Sequence, residues 1–401
     1  MRLAVVSPFV DRRHGTERAL AELLERLARV YHCEIHLYAQ RVEDLALDRQ
    51  VPGGPQKSGA IFWHKIPSVP GPHLLRFVWW LVMNSVCRGW DRRIRGISCE
   101  LVLSPGINCL DADVVLVHAI FHRLQELAKE EDRETAGVGW LRRFHRRWYY
   151  ALLTGLERRI YSNPKVGLAC VSSRTAGQLE KYFGRGDARV IPNGVNAAQF
   201  SPAARLARRE RTRVSRRFRD EDIVLLLIGN DWHNKGLPAI LEALARLSDR
   251  PVKLLIVGND APTESRSMAK RLGVLERCVW EQSCADILDA YAAADVYISP
   301  SREDSFGLPV AEAMACGLPV ITSAFAGISS LVHDGTDSFV LRDPRDVESL
   351  AKLIRLLCEQ EELRSRMGEA AAKTVLEWTW ERTAAAVWEL VQEAGARKHS
   401  S

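Results

Sequence analysis

Apolar residues in this chain gather in two alternating patterns. Short continuous runs of aliphatic residues read as strands, and longer stretches with apolar positions three and four apart read as helices. In the first half the strand-like runs lie at 2–7, 34–38, 100–104, 114–118, 166–171 and 189–192. In the second half they lie at 223–229, 253–258, 296–300, 319–323 and 338–341. Helical spacing fills 16–30, 237–248 and 349–359, and 378–393 reads as an aromatic amphipathic helix. Strands alternating with helices in this way predict α/β units around parallel sheets. One turn-rich junction, Ile191-Pro192-Asn193-Gly194-Val195-Asn196, precedes a basic segment and a fresh strand-helix series. It predicts a first domain ending at 195 and a second beginning at 196.

Length agrees with that division, since 401 residues exceed one ordinary core and suit two domains of roughly 150–200 residues. A hydrophobic share of 47% beside 26% charged residues is that of a folded soluble protein. Nine cysteines without CxxC or zinc-type spacing point to a reducing cytoplasm. The opening MRLAVVSPF reads as a strand and lacks the long apolar core of a signal peptide. The best apolar run, 74–86, is shorter than the ~20 residues needed to span a bilayer and contains Arg76, so no transmembrane helix is expected. Net charge is +6, with arginines collected at 88–95, 142–159 and 205–219. The last group reads as a solvated helix face.

The densest chemistry lies at 300–320, PSREDSFGLPVAEAMACGLPV. Asp304 precedes Glu312 by eight residues, with the turn Ser305-Phe306-Gly307, then Leu308, and Pro309 suited to a first helical turn. Gly317 and Pro319 end that helix. A loop acid, a helix N-terminus and a helix acid together suit a sugar bearing a phosphate, since hydroxyls need carboxylate acceptors and phosphates need N–H donors. Glu303 rivals Asp304 for the loop position. In a second element, Leu227 to Gly236, a strand runs through Asn230, His233, Asn234 and Lys235 directly into a helix. Lys235 and the helix N–H groups stand where a diphosphate would sit, or else Lys235 decorates a surface turn.

Two weaker elements accompany these. The N–H groups of 324–328, including Gly327 and Ile328, follow a strand and are expected to point into a crevice at the carboxyl ends of the sheet. The loop 11–18 joins the first strand to the first helix, with Thr16 as the expected N-cap and Gly15 allowing close approach of a ligand. His118 ends the 114–117 strand; it reads either as a ligand-facing group or as a satisfied polar residue, and with His122 it lacks metal-ligand spacing.

The run 300–320 resembles the nucleotide-sugar signature of family 4 glycosyltransferases, in which two glutamates are separated by seven residues; Asp304 stands at the first. The 191–196 junction and Lys235 loop resemble the same family. Its usual arginine after the strand glycine is Asn230 here, with Asn234 or His233 as substitutes, and Ser330 stands at a usual glutamate. The resemblance implies the GT-B fold: two Rossmann-like domains with parallel sheets facing an interdomain cleft, the first (1–195) taking the acceptor and the second (196–376) the nucleotide sugar. It also implies that 377–401 returns to the first domain. The narrower likeness is to bacterial lipopolysaccharide core glucosyltransferases. By resemblance the catalytic set is Lys235, Asp304 and His118. Donor contacts are Glu312, Gly15, Asn230, Asn234, Ser305, Phe306, Gly307, Leu308, Gly327 and Ile328.

The implied reaction is metal-independent, retaining hexosyl transfer from a nucleoside-diphosphate sugar, such as a UDP-sugar, to a cell-envelope glycan or glycolipid, without a cofactor. Alternatives are an epimerase, an inverting transferase or a non-catalytic membrane scaffold on the same fold. Two segments, from Leu74 to Arg95 and from Gly139 to Tyr161, mix aromatic residues with arginine. They suit an anionic membrane surface, with core packing or, more remotely, nucleic acid as the other readings. A cytoplasmic protein, peripheral on the inner face of the membrane, is the expectation.

Overall fold

The computed structural model describes residues 1–48, 59–134, 140–284 and 286–399. The chain divides into two units, one of Met1–Pro192 with Trp380–Ser401 and one of Asn193–Thr379. These limits differ by a few residues from 195 and 377, because Val195 donates its N–H to the Trp378 carbonyl (2.7 Å) and bridges Thr379 within the second unit.

The first unit is built on a seven-stranded sheet. From one edge its strands are Ile61–Lys65, Glu34–Ala39, Arg2–Val6, Leu101–Pro105, Val114–Val117, Gly167–Cys170 and Arg189–Val190. All pairings are parallel. Side chains alternate across the sheet. Leu3, Val5 and Leu37 face a core shared with helices Gly15–Arg29 and Trp380–His399. Ala4, Val6 and Tyr38 face the opposite core, shared with Trp80 of helix His73–Ile94 and with Leu153 and Ile160 of helix Trp140–Tyr161. Polar contacts also fix the His73–Ile94 helix: Asn84 donates to the Asn108 carbonyl (3.2 Å), and buried Asp91 accepts from the Tyr38 hydroxyl (3.2 Å) and meets His64 Nδ1 at 2.7 Å. Of the two aromatic-basic segments, Trp80 thus belongs to the core, while Trp90 and Trp148 are exposed; Gly139 lies outside the described residues.

The second unit carries a six-stranded parallel sheet. Its order is Cys278–Glu281, Val252–Val257, Ile223–Ile228, Val296–Ser299, Val320–Ser323 and Ser338–Leu341. The chain winds outward to one side after Ile223–Ile228 and to the other after Val296–Ser299. In such a sheet the crevice beyond the carboxyl ends of the two central strands is where ligands bind. Both βα loops that open from this crevice carry the residues singled out above.

The arginines of 205–219 are only in part a solvated face: Arg211, Arg217 and Arg219 are exposed, while the others pack inward. The helix Pro202–Ser215, capped by Ser201 Oγ on the Ala204 N–H, sends Arg205, Arg208, Arg209 and Arg213 onto its neighbours. Arg208 pairs with Asp286 (2.6 Å) and Asp289 (2.9 Å), and Arg205 donates to the Ala294 carbonyl (3.2 Å). Arg213 is buried, donating to the carbonyls of Ala293 (3.1 Å) and Asp222 (2.8 Å).

Candidate active site

The strand Ile223–Ile228 ends at Gly229, and the chain turns through Asn230–Lys235 before Gly236 starts the helix Leu237–Ala245. Gly236 has φ 81°, and a Cβ there would lie 2.3 Å from the Pro300 carbonyl oxygen. Only glycine lets this loop sit so close to the one after the neighbouring strand. That second loop, 300–307, leads into the helix Leu308–Ala315, whose cap Gly307 is also left-handed at φ 95°. The approach brings Lys235 Nζ to 2.5 Å from Asp304 Oδ2, with both side chains about five-sixths buried.

The remaining polar groups weld the two loops together. The Asn234 amide donates to the Glu303 carbonyl (2.8 Å), and its oxygen accepts the Glu303 N–H (3.1 Å). Arg302 donates its N–H to the Asn234 carbonyl (2.7 Å) and its guanidinium to His233 Nε2 (2.7 Å). Asn230 accepts the Asn259 N–H through its side-chain oxygen (2.8 Å). The expectation that Asn234 or His233 substitutes for an arginine toward a diphosphate is therefore corrected: the Asn234 side chain and His233 Nε2 are engaged in holding the acid loop. Between the rival acids, Asp304 reaches the lysine, and Glu303 is fixed through its backbone.

The Gly327 and Ile328 N–H groups do not point into the crevice. Gly327 donates to the Asp304 carbonyl (2.8 Å) and Ile328 to the Phe306 carbonyl (2.7 Å), while the Asp304 N–H goes to the Phe325 carbonyl (3.1 Å). The segment is a brace behind the acid loop, with Ile328, Phe306 and Leu308 side chains buried. At the helix start, the N–H groups of Gly307 and Leu308, both buried residues, form no hydrogen bond among the described residues. Ser305, between acid and cap, is half-buried.

Glu312 sits one turn into the Leu308–Ala315 helix and is 3% exposed. Its Oε2 accepts from the Tyr291 hydroxyl at 2.8 Å, and the same hydroxyl lies 3.2 Å from the Pro309 carbonyl. Tyr291 had no sequence signal; it lies among alanines in the helix Leu288–Ala293. Burial, with a contribution from the Glu312 charge, pushes the Cys316 thiol up. Tyr297, beneath the site, is likewise raised by burial and then by Asp304, so its hydroxyl stays protonated and points at the Ile228 carbonyl (3.4 Å).

In the first unit, the helix Gly15–Arg29 begins one residue before the expected Thr16 cap. His14 occupies the cap, without a side-chain bond to the helix, and Asp11 shapes the loop by accepting the N–H groups of Arg13 (2.8 Å) and His14 (2.9 Å). Burial would raise the Asp11 pKa, but the His14 ring and these N–H groups hold it below the ordinary range. Nothing crowds a Cβ added at Gly15 within 4 Å. His118 follows Val114–Val117 with its Nε2 buried and without a partner among the described residues, and burial lowers its pKa to about 4. His122 pairs with Glu157 at 2.7 Å. Among the described residues no group of three or more His, Cys, Asp or Glu is placed to hold a metal ion.

Two family models match consecutive parts of the chain. Residues 13–199 match "Glycosyltransferase Family 4", and residues 208–374 match "Glycosyl transferases group 1". The chain belongs to these glycosyltransferases. A D-inositol 3-phosphate glycosyltransferase of Geodermatophilus obscurus is 34% identical over 224 residues, which cover 52% of this glycosyltransferase and 48% of that one. The lipopolysaccharide glucosyltransferase WaaG of Escherichia coli is 27% identical over 228 residues, covering 55% of this chain and 61% of WaaG. The chain thus spans about half the length of the curated relatives it matches. A crystal structure of WaaG aligns over 96% of this chain and 98% of its own, with a TM-score of 0.75 at 20% identity. HepE of Anabaena, in complex with UDP and glucose, aligns over 98% and 99% with a TM-score of 0.69 at 18% identity. At these identities the likeness is one of fold, the two-domain GT-B architecture with parallel sheets.

Proposed function

We propose that this glycosyltransferase moves a hexose from a UDP-sugar to a cell-envelope glycan or glycolipid at the inner face of the cytoplasmic membrane. Transfer retains the anomeric configuration and needs no metal ion. The observation that carries the reading is the Lys235–Asp304 pair in the loops that follow two neighbouring central strands. The UDP and glucose named in the HepE complex and the lipopolysaccharide named for WaaG support the choice of donor and acceptor. The inositol 3-phosphate named for the actinobacterial relative makes a cyclitol phosphate the second acceptor to try.

In this reading Lys235 gives up part of its pairing with Asp304 to the leaving diphosphate, and Asp304 turns to the sugar hydroxyls. The Gly307 and Leu308 N–H groups add donors without moving a proton. The acceptor oxygen bonds to the anomeric carbon on the face from which the phosphate departs. The acceptor's proton passes to a phosphate oxygen, so the glycosidic bond forms as the sugar–phosphate bond breaks. Glu312 orients the ribose once its carboxylate is shared with the ligand. A diphosphate oxygen ~4 Å from the Lys235 ammonium gains about 4 kcal/mol at an effective dielectric of 20. That exceeds the ~1.4 kcal/mol that a tenfold rate change requires. Lys235→Ala is therefore expected to lose at least tenfold in turnover of UDP-glucose while its circular dichroism is unchanged. Near-normal turnover from the folded variant contradicts the assignment. An epimerase would convert the donor with no acceptor present, and a scaffold would give no calorimetric signal with any of UDP-, GDP- or ADP-sugars.

A further inference from the structure

The Glu312 carboxylate is buried, and burying an acid is costly unless hydrogen bonds are aimed at it. One such bond comes from the Tyr291 hydroxyl, 2.8 Å from Glu312 Oε2. Tyr291 is itself fully buried. Its ring meets Phe200 edge-on with centroids 5.7 Å apart and lies tilted against Tyr297 at 6.3 Å. That packing holds the phenol oxygen at a fixed place beside the first turn of the helix Leu308–Ala315, where the Pro309 carbonyl is 3.2 Å away. A tyrosine hydroxyl has one hydrogen to give. The carboxylate at the shorter distance takes it over the neutral carbonyl, because a charge-assisted bond is the stronger.

Tyr291 lies in the helix before the strand Val296–Ser299, and Glu312 in the helix after it. Their bond ties together the two helices that flank one central strand in sequence. We propose that Tyr291 is a positioning residue for the donor: its hydroxyl anchors Glu312 Oε2 and so fixes the angle at which the carboxylate meets the ribose hydroxyls. The inference rests on the reading of Glu312 given above and deepens it. A glutamate side chain is rotamer-rich, and ordering it when the ligand arrives costs affinity; a side chain anchored beforehand avoids that cost. Phenylalanine at 291 keeps the ring and its packing, so the oxygen contributes orientation and not volume. The ribose is remote from the bond that breaks, so its grip is felt equally in the ground and transition states. It therefore sets KM for the donor and leaves kcat alone. A hydroxyl serving only the Pro309 carbonyl would affect stability and leave recognition of the ribose untouched.

The test is calorimetry of the full chain with UDP and with 2′,3′-dideoxy-UDP, which lacks both ribose hydroxyls. The proteins are the parent, Tyr291→Phe, Glu312→Gln and the double variant. The parent is expected to bind UDP about tenfold more tightly than the dideoxy compound, the scale of a hydrogen bond to a charged group. Each single variant is expected to cut that ratio by roughly threefold or more, with its circular dichroism and its affinity for the dideoxy compound unchanged. The double variant should lose no more than Glu312→Gln alone, because Tyr291 acts through Glu312. With UDP-glucose as donor, Tyr291→Phe raises KM by the same factor at unchanged kcat. A Tyr291→Phe protein that keeps the parent's ratio while Glu312→Gln loses it overturns the proposal and leaves the ribose reading standing. Additive losses in the double variant, or a Tyr291→Phe chain that fails to fold, also overturn it. A parent that does not prefer UDP to the dideoxy compound removes the ribose role of Glu312, and the proposal with it.

Discussion

Lys235 and Asp304 stand 69 residues apart in sequence and 2.5 Å apart in space. They meet because Ile223–Ile228 and Val296–Ser299 are neighbours in the sheet, so the loops that follow them open over one crevice. Neighbouring polar residues are used differently from what their side chains advertise. Asn234 and His233 bind the acid loop, and the Gly327 and Ile328 amides brace it from behind. His118 supplies a prediction at this scale. Burial holds its folded pKa near about 4, below the ordinary ~6.5 of an unfolded chain. Above pH ~6.5 the imidazole is neutral in both states and contributes no pH dependence. As pH falls from ~6.5 toward ~4, the unfolded chain binds a proton that the folded chain refuses, and stability drops. His118→Gln is expected to flatten that part of the urea-midpoint profile between pH 6.5 and 4; an unchanged slope means the imidazole is not held neutral.

Glycine sets the geometry at the scale of elements. Gly236 and Gly307 each place a left-handed residue immediately before a helix, a conformation that glycine adopts without steric cost. Gly236→Ala adds a Cβ that meets the Pro300 carbonyl and also forces φ 81° on an L side chain. The backbone term alone costs ~1–2 kcal/mol, which at this domain size lowers Tm by about 2–8 °C. Gly335→Ala, with φ 77° but open space around the added Cβ, isolates the backbone term. The Gly236 variant is expected to melt below the Gly335 variant and to bind UDP-glucose more weakly; equal melting and equal binding would show that the two loops are not held together there. Central strands such as Ile223–Ile228 were legible because a strand covered on both faces is an unbroken apolar run. Ile61–Lys65 and Cys278–Glu281 were not, since each is an edge strand carrying exposed or half-exposed polar positions.

For the whole molecule, α/β architecture and the family were readable from strand spacing and from the run 300–320. Contacts between distant segments were not. The arginines of Pro202–Ser215 look solvated until Asp286, Asp289 and Ala294 are brought beside them, and Tyr291 has no local pattern that links it to Glu312. The aromatic-basic segment from Leu74 to Arg95 needed the fold to separate buried Trp80 from exposed Trp90. Both the acceptor and the stereochemistry are properties of the assembled chain, and one measurement addresses them together. NMR of the glycoside formed by the full chain from UDP-α-glucose and a lipopolysaccharide-core acceptor, with and without EDTA, reads transfer, anomer and metal dependence at once. The account predicts an α-linked product formed at the same rate in EDTA. A β-linked product, or transfer abolished by EDTA and restored by Mn²⁺, would contradict it.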